Sequence, residues 1–257
     1  MELKGEVAIV TGGGFGIGEA VCLRLAGEGV AVGVSDINMD NAQRVAGLIT
    51  AQGGQALAVK TDVCKSSDVK EMVRQVVGKF GRVDMLVNNV GVSPKGPKGD
   101  GLRTWLISDE EWDFTIRVNL TSAFYCAREV IPHMIQQKGG RIVLMSSSVG
   151  KQGAGGGTSI APYGAGKAGI INLTITLAKE LVSYNIRVNS VSPGLVEGTM
   201  MRASASPESN EKAVQKIPMK RFGKPSELAE AIYFLVSPRS SYITGEILDC
   251  NGGMVMD

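Results

Sequence analysis

A tyrosine and a lysine four residues apart are the side chains in this sequence best suited to acid–base chemistry. Tyr163 and Lys167 stand near the start of a predicted helix, where residues i and i+4 lie on one face. A nearby cation stabilises a phenolate and lowers the pKa of the tyrosine from about 10 toward neutral pH. We therefore expect a proton donor and acceptor that needs no histidine, although two unrelated side chains on an exposed helix would show the same spacing.

Histidine occurs once in the 257 residues, at His133. Because histidine is the commonest metal ligand and general base, this count disfavours a zinc site, a Ser-His-Asp triad and a Cys-His dyad. The four cysteines lie far apart and form no Cys-x-x-Cys pair, which argues against a zinc ribbon or a redox motif. We expect no metal site, and a structural role for His133.

Glycine is abundant, with 34 residues in the chain, and five of them follow the first predicted strand. There the chain reads Thr-Gly-x-x-x-Gly-x-Gly, directly before a predicted helix. Glycines let the backbone approach a pyrophosphate, and a helix N-terminus favours its negative charge. The strict Gly-x-Gly-x-x-Gly pattern is absent, so an ordinary glycine-rich turn is the alternative. The predicted cofactor-binding residues of this loop are Gly12, Gly14, Phe15, Gly16, Ile17 and Gly18.

An acidic residue ends the second predicted strand. Asp36 stands 20 residues after Gly16, where a carboxylate accepts hydrogen bonds from the adenosine ribose hydroxyls and repels a 2′-phosphate. The sequence has no Arg or Lys in the glycine loop or beside Asp36, so we predict NAD(H) as the cofactor. The alternative role, capping the next helix, fits Asp40 better.

Short β-branched runs alternate with amphipathic stretches, which is typical of a parallel sheet built by right-handed crossovers. We predict a single α/β domain over residues 1–257, a Rossmann-type doubly wound, seven-stranded parallel sheet with helices on both faces. The predicted strands are Val7–Thr11, Val30–Ser35, Ala56–Lys60, Met85–Val87, Arg141–Ser146, Arg187–Val191 and Glu246–Asp249. The predicted helices are Gly16–Glu28, Asp40–Ala51, Ser67–Lys79, Asp109–Gln137, Ala161–Ser183 and Pro225–Val236.

Several ordered motifs together resemble the classical short-chain dehydrogenase/reductase family over essentially the whole chain. They are Thr11–Gly18, Asp62-Val63, Asn88-Asn89-Val90-Gly91, Asn119 in Arg117-Val118-Asn119-Leu120, Ser146-Ser147, Tyr163-x-x-x-Lys167 and Pro193-Gly194. The chain departs from the family pattern at Val90, where alanine is usual. It departs again at Gly198, where threonine is common, and Thr199 follows instead.

The resemblance implies four catalytic residues. Tyr163 is then the general acid/base, and Lys167 lowers its pKa and holds the nicotinamide ribose. Ser147 polarises the substrate oxygen; we select it over its serine neighbours because it stands three residues before Gly150. Asn119 anchors a water that links Lys167 to solvent. Capping or loop hydrogen bonds are the alternative roles for the serine and the asparagine.

The resemblance also extends the cofactor site beyond the glycine loop. It implies contacts to the adenine, beneath the adenosine ribose and along the nicotinamide, in addition to those of Tyr163 and Lys167. The residues implied are Asp62, Val63, Asn89, Gly91, Pro193, Gly194, Val196 and Thr199.

Substrate specificity is expected in three irregular segments after strands, residues 92–107, 150–160 and a lid at 197–216. Their basic residues Lys95, Lys98, Arg103 and Arg202 either attract an anionic substrate or are simply solvated. The predicted activity is hydride transfer between NAD(H) and a small secondary alcohol, polyol or sugar and its ketone. The alternative is a 3-oxoacyl reductase acting on acyl carrier protein or CoA thioesters. A non-catalytic NAD(H) sensor and an epimerase are further alternatives.

Charge and hydropathy bound the partners. The formal net charge is +2 and no stretch of the sequence is strongly basic, which disfavours nucleic acid as a partner. No apolar run reaches about 18 residues, so we expect a cytoplasmic protein that does not bind membranes. The helix around Ile131–Lys138, where an acidic carrier protein would dock, has one lysine, and this favours the small alcohol.

The resemblance implies a homotetramer packed through the helices at Asp109–Gln137 and Ala161–Ser183.

Overall fold

A computed structural model describes residues 1–93, 103–153, 160–199 and 206–256. Seven parallel strands form one sheet in the order β3-β2-β1-β4-β5-β6-β7, which confirms the predicted fold class. The strands are β1 (Val7–Thr11), β2 (Ala31–Asp36), β3 (Ala56–Lys60), β4 (Met85–Asn88), β5 (Gly140–Met145), β6 (Ile186–Pro193) and β7 (Ile247–Cys250). Each lies within two residues of its predicted bounds.

Helices cover both faces of the sheet. They are α1 (Gly16–Gly27), α2 (Met39–Ala51), α3 (Ser66–Phe80), α4 (Asp109–Ile116), α5 (Ser122–Gln136), α6 (Ser148–Gln152), α7 (Ala161–Leu181), α8 (Pro207–Gln215) and α9 (Pro225–Val236). One apolar core lies between the sheet and α1, α2 and α9, and the other between the sheet and α3, α5 and α7. Burial on both faces explains why the strands read as continuous apolar runs.

Several sequence-based expectations differ from the structure. The helix predicted over Asp109–Gln137 is divided by a π-helical turn at Arg117–Thr121. A further helix, α8, lies inside the segment predicted as an irregular lid. The cap of α2 is Asn38 and not Asp40, because the Asn38 side chain accepts hydrogen bonds from the Asp40 and Asn41 amides at 2.9 and 3.2 Å.

The strand order reverses between β1 and β4, and this places a crevice at the carboxyl ends of the central strands. Thr11, Asn88 and Leu144 lie side by side in the sheet, so the segments that follow them emerge at the same edge. At the opposite edge, the Gln137 side chain binds both backbone groups of Val83. His133, one turn before Gln137, therefore lies far from the crevice. In the described part of the chain no helix is both long and apolar enough to cross a membrane.

Candidate active site

The glycine loop between β1 and α1 is built on contacts too close for side chains. Gly12 and Gly16 have φ of +60° and +58°, a conformation that favours glycine. A Cβ on Gly18 would lie 2.0 Å from the Gly12 carbonyl oxygen. The Asn89 amide nitrogen donates to the carbonyls of Thr11 and Gly12, both at 3.3 Å, and holds the loop from the β4 side.

Replacing Gly18 with alanine is expected to weaken NADH binding by about tenfold or more, because the loop must move away from the new methyl group. Isothermal titration calorimetry measures the effect. Gly78→Ala is the matched control, since a Cβ on Gly78 in α3 would meet no atom within 4 Å. Unchanged NADH affinity in the Gly18 variant would contradict the assignment of this loop to the cofactor.

Asp36 lies beside the glycine loop. One carboxylate oxygen accepts from the Gly14 amide at 3.0 Å, and the other accepts from the Asn38 amide at 2.9 Å. These two bonds fix the orientation of the carboxylate beside the glycine loop. An arginine that is distant in the sequence also reaches the loop, because α2 brings a guanidinium nitrogen of Arg44 to 2.9 Å from the Gly14 carbonyl oxygen.

The other predicted adenosine contacts lie at the ends of β3 and β4. The Asp62 carboxylate accepts from the Cys64 amide at 3.0 Å, and Val63 is buried. Gly91 lies against the catalytic candidates, since a Cβ there would be 3.0 Å from Asn119 Oδ1 and 3.1 Å from Lys167 Nζ. The segment after β4 therefore connects the predicted adenosine contacts with the catalytic candidates.

The turn after β6 forms the wall facing the glycine loop. The Gly194 amide donates to the Cys250 carbonyl at 3.2 Å, and a Cβ on Gly194 would lie 2.8 Å from the Asn251 backbone. Val196 is buried, and its carbonyl accepts a hydrogen bond from the Thr199 hydroxyl at 3.0 Å. The turn reaches the loop at Gly16, where an added Cβ would be 3.6 Å from the Gly198 carbonyl oxygen. Pro193, the last residue of β6, leads into this wall.

The two hydroxyls predicted to contact the substrate oxygen lie together. Ser147 follows β5 and caps α6, its hydroxyl accepting from the Val149 amide at 3.3 Å. Tyr163 lies in the first turn of α7 and forms a hydrogen bond with Ser147. Helices α6 and α7 approach closely because Gly150 has no side chain; a Cβ there would lie 2.7 Å from the Lys167 backbone. Two hydroxyl donors therefore converge at one point of the crevice.

Lys167 is buried behind Tyr163, with 3% of its surface exposed. Its ammonium donates to the Met145 carbonyl at 2.7 Å and lies 5.7 Å from the centroid of the Tyr163 ring. Burial lowers the pKa of Lys167 to about 8. Burial also raises the pKa of Tyr163, and the hydrogen bond with Ser147 opposes that rise only in part. The direction for Tyr163 is opposite to the one expected from the Tyr-Lys spacing.

Asn119 lies in the π-helical turn and is fully buried. Its amide nitrogen donates to the carbonyls of Val92 and Thr115 at 2.7 and 2.9 Å, and its oxygen accepts from the Val92 amide at 3.2 Å. These bonds fix the segment after β4 to the helix. Because both amide hydrogens are used, Asn119 has only remaining acceptor capacity for a water.

Comparisons with known proteins agree with this geometry. Residues 13–255 match the model of a family described as enoyl-(acyl carrier protein) reductase. The chain is 41% identical over 256 residues to the 3-oxoacyl-[acyl-carrier-protein] reductase of Thermotoga maritima, covering all of both chains. It is 40% identical over 250 residues to the enzyme of that name from Staphylococcus epidermidis, covering 97% of this chain and 98% of the relative. The chain belongs to the short-chain dehydrogenase/reductase family.

Two solved structures of similar proteins share the fold. One is a 3-ketoacyl-(acyl-carrier-protein) reductase from Brucella melitensis complexed with NADH, with a TM-score of 0.90, 36% identity, and coverage of 99% of this chain and 100% of that one. The other is gox2181, with a TM-score of 0.92, 31% identity, and coverage of 98% and 96%. The family resemblance predicted from the ordered motifs is confirmed, and with it a nicotinamide-dependent oxidoreductase.

Some predicted features of this short-chain dehydrogenase/reductase lie outside the described residues, namely Lys95, Lys98 and Arg202 and parts of all three substrate segments. Arg103 is exposed, with its guanidinium 5.6 Å from the centroid of the Trp105 ring. No group of three or more metal-ligating side chains occurs within the ranges that the structure describes. Sequence reasoning missed Arg44, because nothing in its spacing relates it to the glycine loop.

Proposed function

We propose that this protein uses NADH to reduce the 3-oxo group of an acyl thioester to the 3-hydroxy group. The observation that carries the proposal is the hydrogen-bonded pair of Ser147 and Tyr163, with Lys167 buried behind it at the carboxyl edge of the sheet. Two hydroxyl donors that converge on one point suit a carbonyl oxygen. The glycine loop suits the dinucleotide, because its backbone is bare where a pyrophosphate must approach.

The proposed chemistry divides between the cofactor and the chain. A bound nicotinamide supplies the hydride that reaches the carbonyl carbon. Ser147 and Tyr163 both donate hydrogen bonds to the substrate oxygen, which polarises the carbonyl and stabilises negative charge as it develops there. Tyr163 then transfers its proton to that oxygen, and Lys167 stabilises the phenolate left behind. Asn119 holds the segment after β4 against Lys167 and offers one oxygen to a water on the path by which a proton returns.

The protonation state of Tyr163 suits ketone reduction at neutral pH. Burial keeps the phenol protonated at neutral pH, as a proton donor to a ketone must be. Alcohol oxidation needs the phenolate, which forms only as the pH rises toward the pKa of this tyrosine. We therefore expect ketone reduction to lose rate in the alkaline range, where Lys167, with a pKa of about 8, loses the charge that stabilises the phenolate and Tyr163 begins to lose its proton.

Two observations support NADH as the cofactor. Asp36 is held by the Gly14 and Asn38 amides at the adenosine end, where its charge repels a 2′-phosphate. The similar Brucella melitensis reductase was solved in complex with NADH. Gly12, Gly16, Ile17 and Gly18 would hold the pyrophosphate, and Lys167 the nicotinamide ribose.

The names of the relatives favour an acyl thioester over a small alcohol, polyol or sugar. Both relatives at 40–41% identity are 3-oxoacyl-[acyl-carrier-protein] reductases and match this chain end to end. The ketoacyl alternative of the sequence analysis therefore replaces its leading substrate prediction. The segments at 92–107, 150–160 and 197–216 are the proposed substrate mouth, within a single domain.

Steady-state assays of NADH oxidation test the proposal. We expect turnover of acetoacetyl-CoA or of acetoacetyl-acyl carrier protein, with kcat/KM at least about tenfold higher for NADH than for NADPH. Comparing the two thioesters identifies the carrier. Turnover of crotonyl-CoA alone would indicate enoyl reduction, and NAD-linked oxidation of polyols alone would restore the small-alcohol prediction. Equal efficiency with NADPH would contradict the role given to Asp36.

We also propose a homotetramer. Large aromatic side chains are exposed on α4 and α5, among them Trp112, Phe114 and Phe124. Exposed aromatic surface of this kind is typical of an interface. Light scattering coupled to size-exclusion chromatography is expected to give four times the 27.0 kDa chain mass. A monomeric mass would contradict the proposal.

A further inference from the structure

An ion pair contacts the glycine loop from outside. The two terminal nitrogens of Arg44, on α2, donate to the two carboxylate oxygens of Glu19, on α1, each at 2.7 Å. One of these nitrogens also donates to the Gly14 carbonyl oxygen at 2.9 Å. The guanidinium is therefore held in one orientation by the two helices and by the loop.

Gly14 is bound through both of its backbone groups. Its amide donates to Asp36 at 3.0 Å, and its carbonyl accepts from Arg44. Gly14 therefore binds both the Asp36 carboxylate, which repels a 2′-phosphate, and the Arg44 cation. An arginine guanidinium is the side chain best suited to bind a phosphate, through paired hydrogen bonds. Arg44 would attract a 2′-phosphate if its charge were free.

The charges around Gly14 explain why it is not free. Asp36 and Glu19 are acidic and Arg44 is basic, so the three side chains together are negative. Removing the Asp36 charge leaves the Glu19–Arg44 pair, which is neutral and in which three of the five guanidinium N–H groups are already bound. A 2′-phosphate, with a charge of about −1.5 to −2, then meets no repulsion, but it also meets no net positive charge. Removing the Glu19 charge as well leaves one uncompensated guanidinium beside the loop.

We propose that Glu19 is a specificity-determining residue, which discriminates against NADP(H) by holding Arg44 away from the 2′-phosphate. The inference rests on the proposed preference for NAD(H) and divides it between two carboxylates. Asp36 repels the phosphate, while Glu19 withholds the cation that would bind it. The pair is partly exposed, with 47% and 23% of the Arg44 and Glu19 side chains accessible, so its loss leaves the fold intact.

Calorimetric titration with NADPH and NADH tests the proposal in three variants, Asp36→Ser, Asp36→Ser/Glu19→Gln and Asp36→Ser/Glu19→Gln/Arg44→Met. We expect Asp36→Ser alone to bind NADPH weakly. Adding Glu19→Gln is expected to lower the Kd for NADPH by about tenfold, as a charge-assisted phosphate contact would. Adding Arg44→Met is expected to abolish that gain, and the Kd for NADH should change little through the last two steps.

Glu71→Gln in the Asp36→Ser background is the matched control. Glu71 makes a similar two-bond pair with Arg74 on α3, at 2.6 Å for both bonds. An unchanged Kd for NADPH on adding Glu19→Gln, or a gain that survives Arg44→Met, would overturn the proposal. Wild-type protein that binds NADPH as tightly as NADH would instead refute the proposed cofactor preference, and the effect of Glu19→Gln would still report on the pair.

Discussion

Replacing Tyr163 with phenylalanine is expected to lower kcat for 3-oxoacyl reduction by about 10³, within the range that a general acid contributes. Phenylalanine keeps the ring and loses only the hydroxyl that shares a hydrogen bond with Ser147. The proton must then come from water, and the developing negative charge on the substrate oxygen keeps one donor instead of two. NADH affinity should change far less than kcat, because the glycine loop and Asp36 are untouched.

The measurement is steady-state NADH oxidation with acetoacetyl-CoA, paired with calorimetric titration of NADH. Tyr184→Phe is the matched control, since Tyr184 follows α7 and is exposed. Wild-type turnover in the Tyr163 variant would exclude the proposed acid. Loss of NADH binding together with turnover would mean that the substitution had disturbed the cofactor site, and Ser147→Ala would then test the hydroxyl pair from its other member.

The sheet was predictable because each strand carries its own signal. Strands buried on both faces appear as short apolar runs, and β1, which is buried throughout, begins and ends where its run does. Strand ends are less well marked, since pairing with a neighbour extends β6 to Pro193, beyond the apolar run. The π-helical turn was not predictable, because the sequence there is typical of one continuous helix; in the structure Asn119, which lies in this turn, binds Thr115 and the distant Val92.

The order of the motifs predicted the residues of the candidate site. It did not predict the direction of their pKa shifts or the charges around them. The spacing of Tyr163 and Lys167 placed both on one helix face, and the structure brings Ser147 to the same point. The direction of the Tyr163 pKa depends on burial, which the four-residue spacing does not encode. Arg44 illustrates the same limit, because its contact with Gly14 spans 30 residues and arises only from the packing of α2 beside the loop.

Lys167→Met is expected to abolish turnover and yet to stabilise the cofactor-free protein at pH 7. The folded protein holds a buried ammonium whose pKa has fallen from 10.5 to about 8. Below pH 8 the folded state therefore carries the full penalty of a buried charge. Removing that penalty stabilises the variant by about 3 kcal/mol. The variant also loses the hydrogen bond to the Met145 carbonyl, which costs about 1 kcal/mol. A melting temperature several degrees higher should follow.

The pH dependence of the free energy of unfolding distinguishes the buried-charge penalty of Lys167 from better packing of the methionine. Between about pH 8 and 10.5 the unfolded wild-type chain binds more protons at Lys167 than the folded chain does, so wild-type stability rises with pH across that window. The advantage of the variant should therefore shrink from pH 8 upward, whereas a packing effect would persist. Lys179→Met, at an exposed position of α7, should show neither the gain nor its loss.

Saturating NADH should reverse the order of the two melting temperatures. If Lys167 holds the nicotinamide ribose, the wild-type protein gains more stability from the ligand than the variant does, because ligand stabilisation grows with affinity. The comparison requires thermal melts of both proteins at pH 7 with and without NADH. A variant less stable than wild type without cofactor would refute the buried-charge penalty. An equal gain from NADH in both proteins would refute the ribose contact, so the two roles of this lysine are tested independently.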